Sequence, residues 1–250
     1  MAHTDKQLSL LAHLDEIRKR LFVFVVWFFI FTGLSFYFVE DILHFLKLPA
    51  GSQLGPLAVF SPIAAILAFI KIAFFCGFAF SLPVLLYEVW IFILPALDVR
   101  WERYGLFFIG SGIALFVMGN LFSFYILIPA SLKFLLSIGK GELQFIISLD
   151  SYISFILLMM LGCGLIFEIP VLAFFLAKVG ILTGEFMVRQ WKMAVVGTLI
   201  VASVITPSPD LVNMFLMALP ILILYILSIG IVFMAQKKTA VERVEEKILT

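Results

Sequence analysis

Acidic side chains stand inside one long apolar run of this sequence and directly before another, and both places are candidates for a functional site. Glu168 lies inside the apolar run 152–176, and Pro170 follows two residues later. In a membrane span a carboxyl group costs about 3 kcal/mol or more unless a partner, water or a proton neutralises it. Pro170 removes a backbone hydrogen bond, so we expect a kink and a concavity beside the carboxyl group. Glu168 is therefore a candidate functional residue; the alternative is an acid that hydrogen-bonds to a neighbouring helix.

The second place is the charged segment 10–21, which leads into the first long apolar run. Glu16 can form an i,i+4 ion pair with Arg20, and Asp15 can do the same with Lys19, at about 0.3 kcal/mol each. On the residues alone, such ordinary helix pairs are the preferred interpretation. Four apolar residues at helical spacing predict an amphipathic entry helix here: Leu10, Leu14, Ile17 and Leu21.

The histidines and cysteines give no support to catalysis or metal binding. His3, His13 and His44 fall outside the apolar spans, whereas Cys76 and Cys163 lie inside apolar runs without metal-ligand spacing. The sequence contains no H-E-x-x-H, no G-x-S-x-G and no nucleotide-binding loop. Its formal net charge of +1 gives no basis for a nucleic-acid partner. We therefore predict a protein that is not an enzyme and holds no metal.

The elements that position these residues are membrane helices. Of the 250 residues, 64% are apolar and 29 are Phe, and the mean hydropathy is +1.19. Runs of about 20 apolar residues can cross a bilayer as helices, so we predict an all-α integral membrane protein with one polytopic domain, residues 1–250, that ends in a charged tail at 235–250. The predicted spans are six: 21–39, 63–87, 104–128, 152–176, 193–205 and 212–234.

The distribution of basic residues predicts the orientation of these spans. Thirteen of the 17 Lys and Arg residues fall before the first span, in the second and fourth connections, or in the tail. Only three fall in the opposite loops, so the positive-inside rule places both termini in the cytoplasm. The outer loop 40–62, which contains Pro49, is expected to form a structured cap. Asp210 is expected to cap the start of the sixth span.

Several motifs in order give the chain a family resemblance. His-Leu-Asp-Glu-Ile-Arg-Lys-Arg-Leu occupies 13–21, Pro-Val-Leu-Leu-Tyr-Glu-Val-Trp occupies 83–90, and Pro-Ala-Leu occupies 95–97. Phe-Glu-Ile-Pro stands at 167–170 and Thr-Pro-Ser-Pro-Asp at 206–210. With this order and spacing on six spans, the chain resembles TatC, the multispanning subunit of the twin-arginine protein translocase.

The resemblance implies a fold, a function and partners. The fold would be a cup-shaped bundle of six helices without a cofactor, in a prokaryotic cytoplasmic (inner) membrane. The protein would recognise the twin-arginine signal peptides of folded cargo and act as the core scaffold of export driven by the proton-motive force. Its partners would be single-span subunits of the TatA or TatB type and membrane lipid, with self-association possible.

The resemblance also implies roles for particular residues. Glu16 would face an arginine of the signal peptide, and Arg18 would hold Glu16 in position. The family usually places a second glutamate four residues after Pro-Ala-Leu; here Trp101 stands there and Glu102 follows, a rotation of about 100° on a helix. Glu168, beside Pro170, would face a groove where a partner helix presents a polar residue. The remaining residues assigned to the signal-peptide site are His13, Phe92 and Arg103.

A competing hypothesis is a secondary transporter of small solutes or ions. It would use Glu168 as an intramembrane site, with Lys71 as a second ionisable residue inside a span. The sequence shows neither an internal repeat nor a pair of interrupted spans, features that are common in such transporters. A purely structural membrane scaffold is a weaker third hypothesis.

Overall fold

The protein is helical throughout the part of the chain that its structure, a computed structural model, describes. The backbone is described over residues 2–53, 57–94, 105–137, 146–206 and 211–249, and the side chains over 15–51, 57–94, 105–137, 146–206 and 211–236. Within these ranges the only extended pairing is an isolated parallel bridge between Ala58 and Ser148. The α-helices are α1 (Ala2–Tyr37), α2 (Val39–Lys47), α3 (Pro62–Ile93), α4 (Gly105–Phe122), α5 (Ile128–Leu135), α6 (Leu149–Phe167), α7 (Ile169–Lys178), α8 (Gly184–Arg189), α9 (Trp191–Ile205) and α10 (Leu211–Leu249).

Five helical segments in the described ranges are long and apolar enough to cross a membrane, and α9 is a shorter apolar helix of 15 residues. The five are Asp15–Tyr37, Pro62–Ile93, Gly105–Leu135, Leu149–Lys178 and Leu211–Gln236. The all-α, six-helix membrane fold predicted from the sequence is thereby confirmed. The organisation as one domain with a tail at 235–250 stays a prediction.

The third span is longer than predicted. We expected it to end at residue 128, but the helix continues through a π-helical turn at Ser123–Leu127 into α5. Pro129 lacks a backbone N–H and its ring crowds the carbonyl four residues earlier, which strains an α-helical turn. The wider π turn just before it lets the helix proceed to Leu135.

The helices form two compact units. The first comprises Met1–Leu43 and Phe69–Ile113. In it α1 and α3 pack through aromatic side chains, with Phe24 and Phe78 edge to face at 6.3 Å and Phe28 and Phe74 at 5.7 Å between ring centroids. Aromatic pairs of this kind add about 0.5–1.5 kcal/mol to the burial of their surface. These contacts hold the middle of α1 against the middle of α3.

The second unit comprises His44–Ala68 and Ala114–Thr250. In its first loop α2 continues into a 3-10 turn, Leu48–Gln53, that contains Pro49. Gly51 in this turn adopts φ 50°, a conformation that other residues rarely take. Ala58 then exchanges backbone hydrogen bonds with the entrance to α6, donating to Ile147 and accepting from Leu149. The loop is thus tied to the fourth span.

Polar contacts also fasten the other helices of this unit. Lys178 at the end of α7 donates to the carbonyl oxygen of Ala235 in α10, at 2.8 Å. Tyr225 of α10 donates to the carbonyl oxygen of Met187 in α8, also at 2.8 Å. Apolar side chains fill the space around these bonds, including Ala173, Ala177, Met187, Val232 and Ala235.

Candidate functional site

An open groove lies in the first unit, between residues 17–24 of α1 and residues 85–92 near the end of α3. Four residues of each helix line it: Ile17, Arg20, Leu21 and Phe24 of α1, and Leu85, Glu88, Val89 and Phe92 of α3. Both sets follow the spacing i, i+3, i+4, i+7, which places them on one face of their helix. Each helix therefore contributes three apolar residues and one charged residue to the groove.

The two charged residues of the groove meet in an ion cluster that includes Glu16. Arg20 donates to Oε1 of Glu16 from both Nε, at 3.2 Å, and Nη2. Its third nitrogen, Nη1, donates to Oε2 of Glu88 at 3.3 Å. One guanidinium group thus bridges two carboxylates, one from its own helix a turn earlier and one from α3. Arginine can do this because its planar fork presents donors in several fixed directions.

The cluster is partly withdrawn from water. The side chains of Arg20 and Glu88 are only 20% and 14% exposed, and that of Glu16 is 37% exposed. Because apolar walls lower the local dielectric, a carboxylate here attracts a cation more strongly than one on an open surface does. The groove can therefore bind a cationic group that is attached to apolar side chains.

The structure differs from the expected role of Arg18. Arg18 pairs with Asp15, at 3.3 Å, and both side chains are well exposed, at 77% and 61%. Such surface pairs contribute little. The arginine that holds Glu16 is Arg20, one turn after Glu16 and two residues after Arg18, because that position faces α3. The i,i+4 pair predicted between Glu16 and Arg20 forms, whereas Asp15 pairs with Arg18 instead of Lys19.

Of the other residues predicted for the signal-peptide site, the structure describes the side chain of Phe92 only. Phe92 lines the groove beside Glu88. His13 lies on α1, but its side chain is outside the described residues, as are Trp101, Glu102 and Arg103. Asp210, predicted as a helix cap, is also outside them. Among described residues, no group of three His, Cys, Asp or Glu side chains could hold a metal ion.

Sequence reasoning missed Glu88 and the bridging role of Arg20. A usable signal was present, since Leu85, Glu88, Val89 and Phe92 repeat the spacing of the α1 residues with one charge in the same place. That pattern alone does not say which helices are neighbours. Only the contact between α1 and α3 turns two separate charged residues into one site.

Glu168 stands at the joint between α6 and α7 in the second unit. Its backbone N–H bonds to Leu165, three residues earlier, and Pro170 lies in the first turn of α7, so the predicted break in the helix is present. The side chain is 5% exposed. Neither of its carboxyl oxygens receives a hydrogen bond from the described residues.

A second buried polar group without a partner among the described residues lies beside Gly164, four residues before Glu168 in the sequence. One turn earlier, Gly164 packs against Phe116 and Asn120 of α4. Asn120 donates to the carbonyl oxygen of Phe116 at 2.9 Å, but its own Oδ1 is buried without a partner in the described part of the chain. The alternative that Glu168 simply bonds to a neighbouring helix therefore gains no support.

Comparisons with known proteins agree on one family. Residues 12–220 match the model of the family described as Sec-independent protein translocase protein (TatC). The Sec-independent protein translocase protein TatC of Helicobacter pylori (strain J99) is 40% identical over 218 residues, which cover 87% of this chain and 86% of the relative. The TatC protein of Koribacter versatilis is 34% identical over 250 residues, which cover 96% of this chain and 90% of the relative.

A solved structure extends the agreement to three dimensions. The crystal structure of a twin arginine translocase receptor, TatC, is similar to this chain with a TM-score of 0.81 and 35% identity, covering 89% of this chain and 99% of that one. The family model covers residues 12–220, which include the groove of α1 and α3 and the joint at Glu168. The chain therefore belongs to the TatC family of Sec-independent protein translocase proteins, a family of membrane translocase components and not of enzymes, as its motifs predicted.

Proposed function

We propose that this protein is the signal-peptide receptor and core scaffold of a twin-arginine translocase. The observation that carries the proposal is the cluster of Glu16, Arg20 and Glu88 at an apolar groove. A signal peptide presents a positively charged segment followed by an apolar one. The groove presents carboxylates beside apolar walls, so the two chemistries are complementary. Each wall runs over eight residues of helix and is about 10 Å long, enough for the paired arginines and the first apolar residue after them.

The orientation that this role requires is supported by the basic residues. The groove lies where the membrane-spanning part of α1, Asp15–Tyr37, begins, and the positive-inside rule assigns that end to the cytoplasm. We therefore place both termini on the cytoplasmic side of a prokaryotic inner membrane, where folded cargo first meets the translocase. Export would draw on the proton-motive force.

Glu168 provides the basis for a second part of the proposal. A buried carboxyl group without a donor is costly, and a polar residue on an incoming helix can reduce that cost. We assign the region of Glu168 and Pro170 to contact with single-span partners of the TatA or TatB type. Lipid surrounds the spans, and self-association of the chain is compatible with both assignments.

The receptor role is tested by peptide binding to the purified full-length protein in nanodiscs. The peptides carry Arg-Arg or Lys-Lys before the same apolar segment, and each affinity is measured at two salt concentrations. We expect tight binding that favours the Arg-Arg peptide, because a guanidinium group can make two parallel hydrogen bonds to a carboxylate and an ammonium group cannot. Equal affinities that fall steeply with salt would mean surface electrostatics only and would overturn the proposal.

A matched pair of variants locates the site. Glu16→Gln removes a charge from the cluster, and Asp15→Asn removes the neighbouring charge, which faces Arg18 on the exposed side of the helix. We expect the first variant to weaken binding of the Arg-Arg peptide by about tenfold or more and the second to leave it unchanged. Equal effects of the two variants would contradict the assignment to Glu16. Thermal unfolding of each variant is the control that distinguishes a loss of peptide affinity from a loss of folded protein.

A further inference from the structure

The chain between the fourth span and α9 exposes large apolar side chains. We call residues 179–192 the connecting segment; it includes α8 and the first two residues of α9. It follows directly on the span that ends at Lys178. Four large apolar side chains of the segment are exposed, from 49% for Val188 to 72% for Ile181, and the other two are Phe186 and Trp191. An apolar patch of this kind marks a surface that something apolar covers.

The exposed surface of the segment continues that of the span before it. Helix α7 is followed by Gly180, whose φ of 84° reverses the chain, so the N–H of Ile181 donates to the carbonyl oxygen of Leu176 at 2.9 Å. This bond keeps Ile181 beside Leu176, whose side chain is also exposed. Leu176 belongs to a helical segment long and apolar enough to cross a membrane, where an exposed apolar side chain faces lipid. The same lipid can therefore reach Ile181.

One face of α8 is packed and the other is open. Gly184 and Met187 are buried, and the N–H of Gly184 donates to Oε1 of Gln236 in α10 at 3.3 Å. Phe186 and Arg189 stand three residues apart on the helix, so they share a face, and both are exposed. The short helix thus presents an aromatic ring and a cation side by side, on a backbone that is fixed to α10.

Two exposed basic side chains stand among the apolar ones. Arg189 ends α8, and Lys192 follows Trp191 at the start of α9. Neither cation forms an ion pair with a side chain that the structure describes. The segment contains one acid, Glu185, which is also exposed. Aromatic rings beside unpaired cations are typical of the bilayer interface, where rings lie at headgroup depth and cations reach lipid phosphates.

We propose that the connecting segment docks on the headgroup region of the bilayer and binds anionic phospholipid there. Phe186 and Trp191 enter the apolar edge of the leaflet, and Arg189 and Lys192 contact the lipid phosphates. The continuous surface from the fourth span favours the bilayer over a soluble partner, because lipid already covers one end of it. Two cations against one acid favour an anionic headgroup over a zwitterionic one. This inference does not depend on the proposed receptor function.

The first experiment uses Trp191 as the reporter. The full-length protein is reconstituted in phosphatidylcholine vesicles that contain a minor share of phosphatidylglycerol or phosphatidylcholine with brominated acyl chains, which quench tryptophan fluorescence on contact. Trp191→Phe gives the background of the other tryptophans. We expect brominated phosphatidylglycerol to reach half of the maximal quenching of Trp191 at a content at least about fivefold lower, since each cation near an anionic surface favours contact by about that factor.

Both of the other outcomes of this experiment overturn the proposal. Equal quenching by the two lipids would mean that Trp191 contacts lipid without a preference for anionic headgroups. No quenching by either lipid would mean that water or protein covers Trp191.

A matched pair of double variants assigns the preference to the segment. Arg189→Gln with Lys192→Gln removes its two cations. Lys47→Gln with Lys133→Gln removes two cations of the same unit from loops that the positive-inside rule assigns to the opposite side of the membrane. We expect the first double variant to abolish the preference for phosphatidylglycerol and the second to keep it. Equal effects of the two would mean general electrostatic attraction and would overturn the site.

A thermal measurement distinguishes the leaflet from a soluble phosphate. In detergent micelles phosphatidylglycerol should raise the unfolding temperature of the full-length protein, because a ligand that binds only the folded state stabilises it, and glycerol 3-phosphate should not. Phe186→Ser should weaken the lipid effect, whereas Phe60→Ser, at an exposed aromatic residue elsewhere in the same unit, should keep it. Equal stabilisation by glycerol 3-phosphate, or equal behaviour of the two variants, overturns docking in the leaflet. These readouts involve no signal peptide, so a failure of the receptor function leaves them unchanged.

Discussion

Arg20 and Glu88 stand 68 residues apart in the sequence, and the hydrogen bond between them joins the first membrane helix to the second. The bond lies in the groove that α1 and α3 form, and both of its residues line that groove. Its partners are both largely shielded from water, unlike those of the neighbouring pair Asp15 and Arg18. Each pair joins a carboxylate to an arginine from the same stretch of α1, so the energies of the two pairs can be compared.

The bond between Arg20 and Glu88 should contribute measurably to stability. In a double-mutant cycle with Arg20→Gln and Glu88→Gln, we expect a coupling energy of about 1 kcal/mol in the free energy of unfolding. The same cycle on Asp15 and Arg18 should give close to zero, because water screens that pair. Reversible unfolding in mixed detergent micelles provides the measurement. Equal coupling in the two cycles would show that burial of the Glu88 pair has no energetic effect.

Glu168 should matter for assembly more than for peptide recognition. We expect Glu168→Gln to leave the affinity for the Arg-Arg peptide unchanged and to reduce co-purification with single-span partners several-fold. The control is Glu185→Gln, which changes an exposed acid in the same unit. Unchanged co-purification would contradict the assignment of Glu168 to contact with a partner helix. Solute-dependent uptake by vesicles that contain only this protein, lost in Glu168→Gln, would favour the transporter hypothesis instead.

The hydroxyl group of Tyr152 should stabilise the second unit. It donates to the carbonyl oxygen of Leu46 at 3.0 Å, and the bond is buried. Tyr152→Phe leaves that carbonyl without a donor, so we expect a loss of about 1 kcal/mol in the free energy of unfolding. Tyr125→Phe, at a side chain that is 68% exposed, should cost almost nothing. Equal losses in the two variants would contradict a role for the buried bond.

A side chain at position 119, where the protein has glycine, should lower the free energy of unfolding. A Cβ at this position would lie 2.7 Å from the carbonyl oxygen of Cys163 and 2.9 Å from Phe167 Cγ. Since the oxygen belongs to the backbone of α6, it cannot rotate away, and the two helices must separate. We expect Gly119→Ala to cost about 1–3 kcal/mol of unfolding free energy. Gly110→Ala on the same helix, with open space around it, should be neutral or slightly stabilising. Similar unfolding for both variants would contradict this packing.

Much of the fold follows from the sequence because a bilayer imposes simple demands. Each span must be a continuous apolar helix, so hydropathy alone indicates the six helices and the short one among them. The break at Glu168 also follows, because Pro170 acts on its own backbone. The extension of the third span to Leu135 was missed, because a π turn before Pro129 is a local solution that no hydropathy pattern indicates.

Only part of the candidate site could be predicted from the sequence. Glu16 and Phe92 came from the family motifs, and both lie at the groove. The connection between them depends on Arg20 and Glu88, whose contact is a product of the packing of α1 on α3. A charged residue looks the same in sequence whether it faces solvent, as Arg18 does, or a neighbouring helix, as Arg20 does. The roles assigned to Trp101, Glu102 and Arg103 stay predictions.

The division of the chain into two units has a consequence for the order in which the protein is made. All residues of the first unit precede Ala114, so the ribosome has completed the segments that form the groove before it begins the second half of the chain. The second unit must wait, because its first loop pairs Ala58 with Ser148 and its last contacts come from α10. Domains generally fold as they emerge, the N-terminal part first. The peptide-binding groove is therefore the early product of biogenesis, and the region around Glu168 matures last.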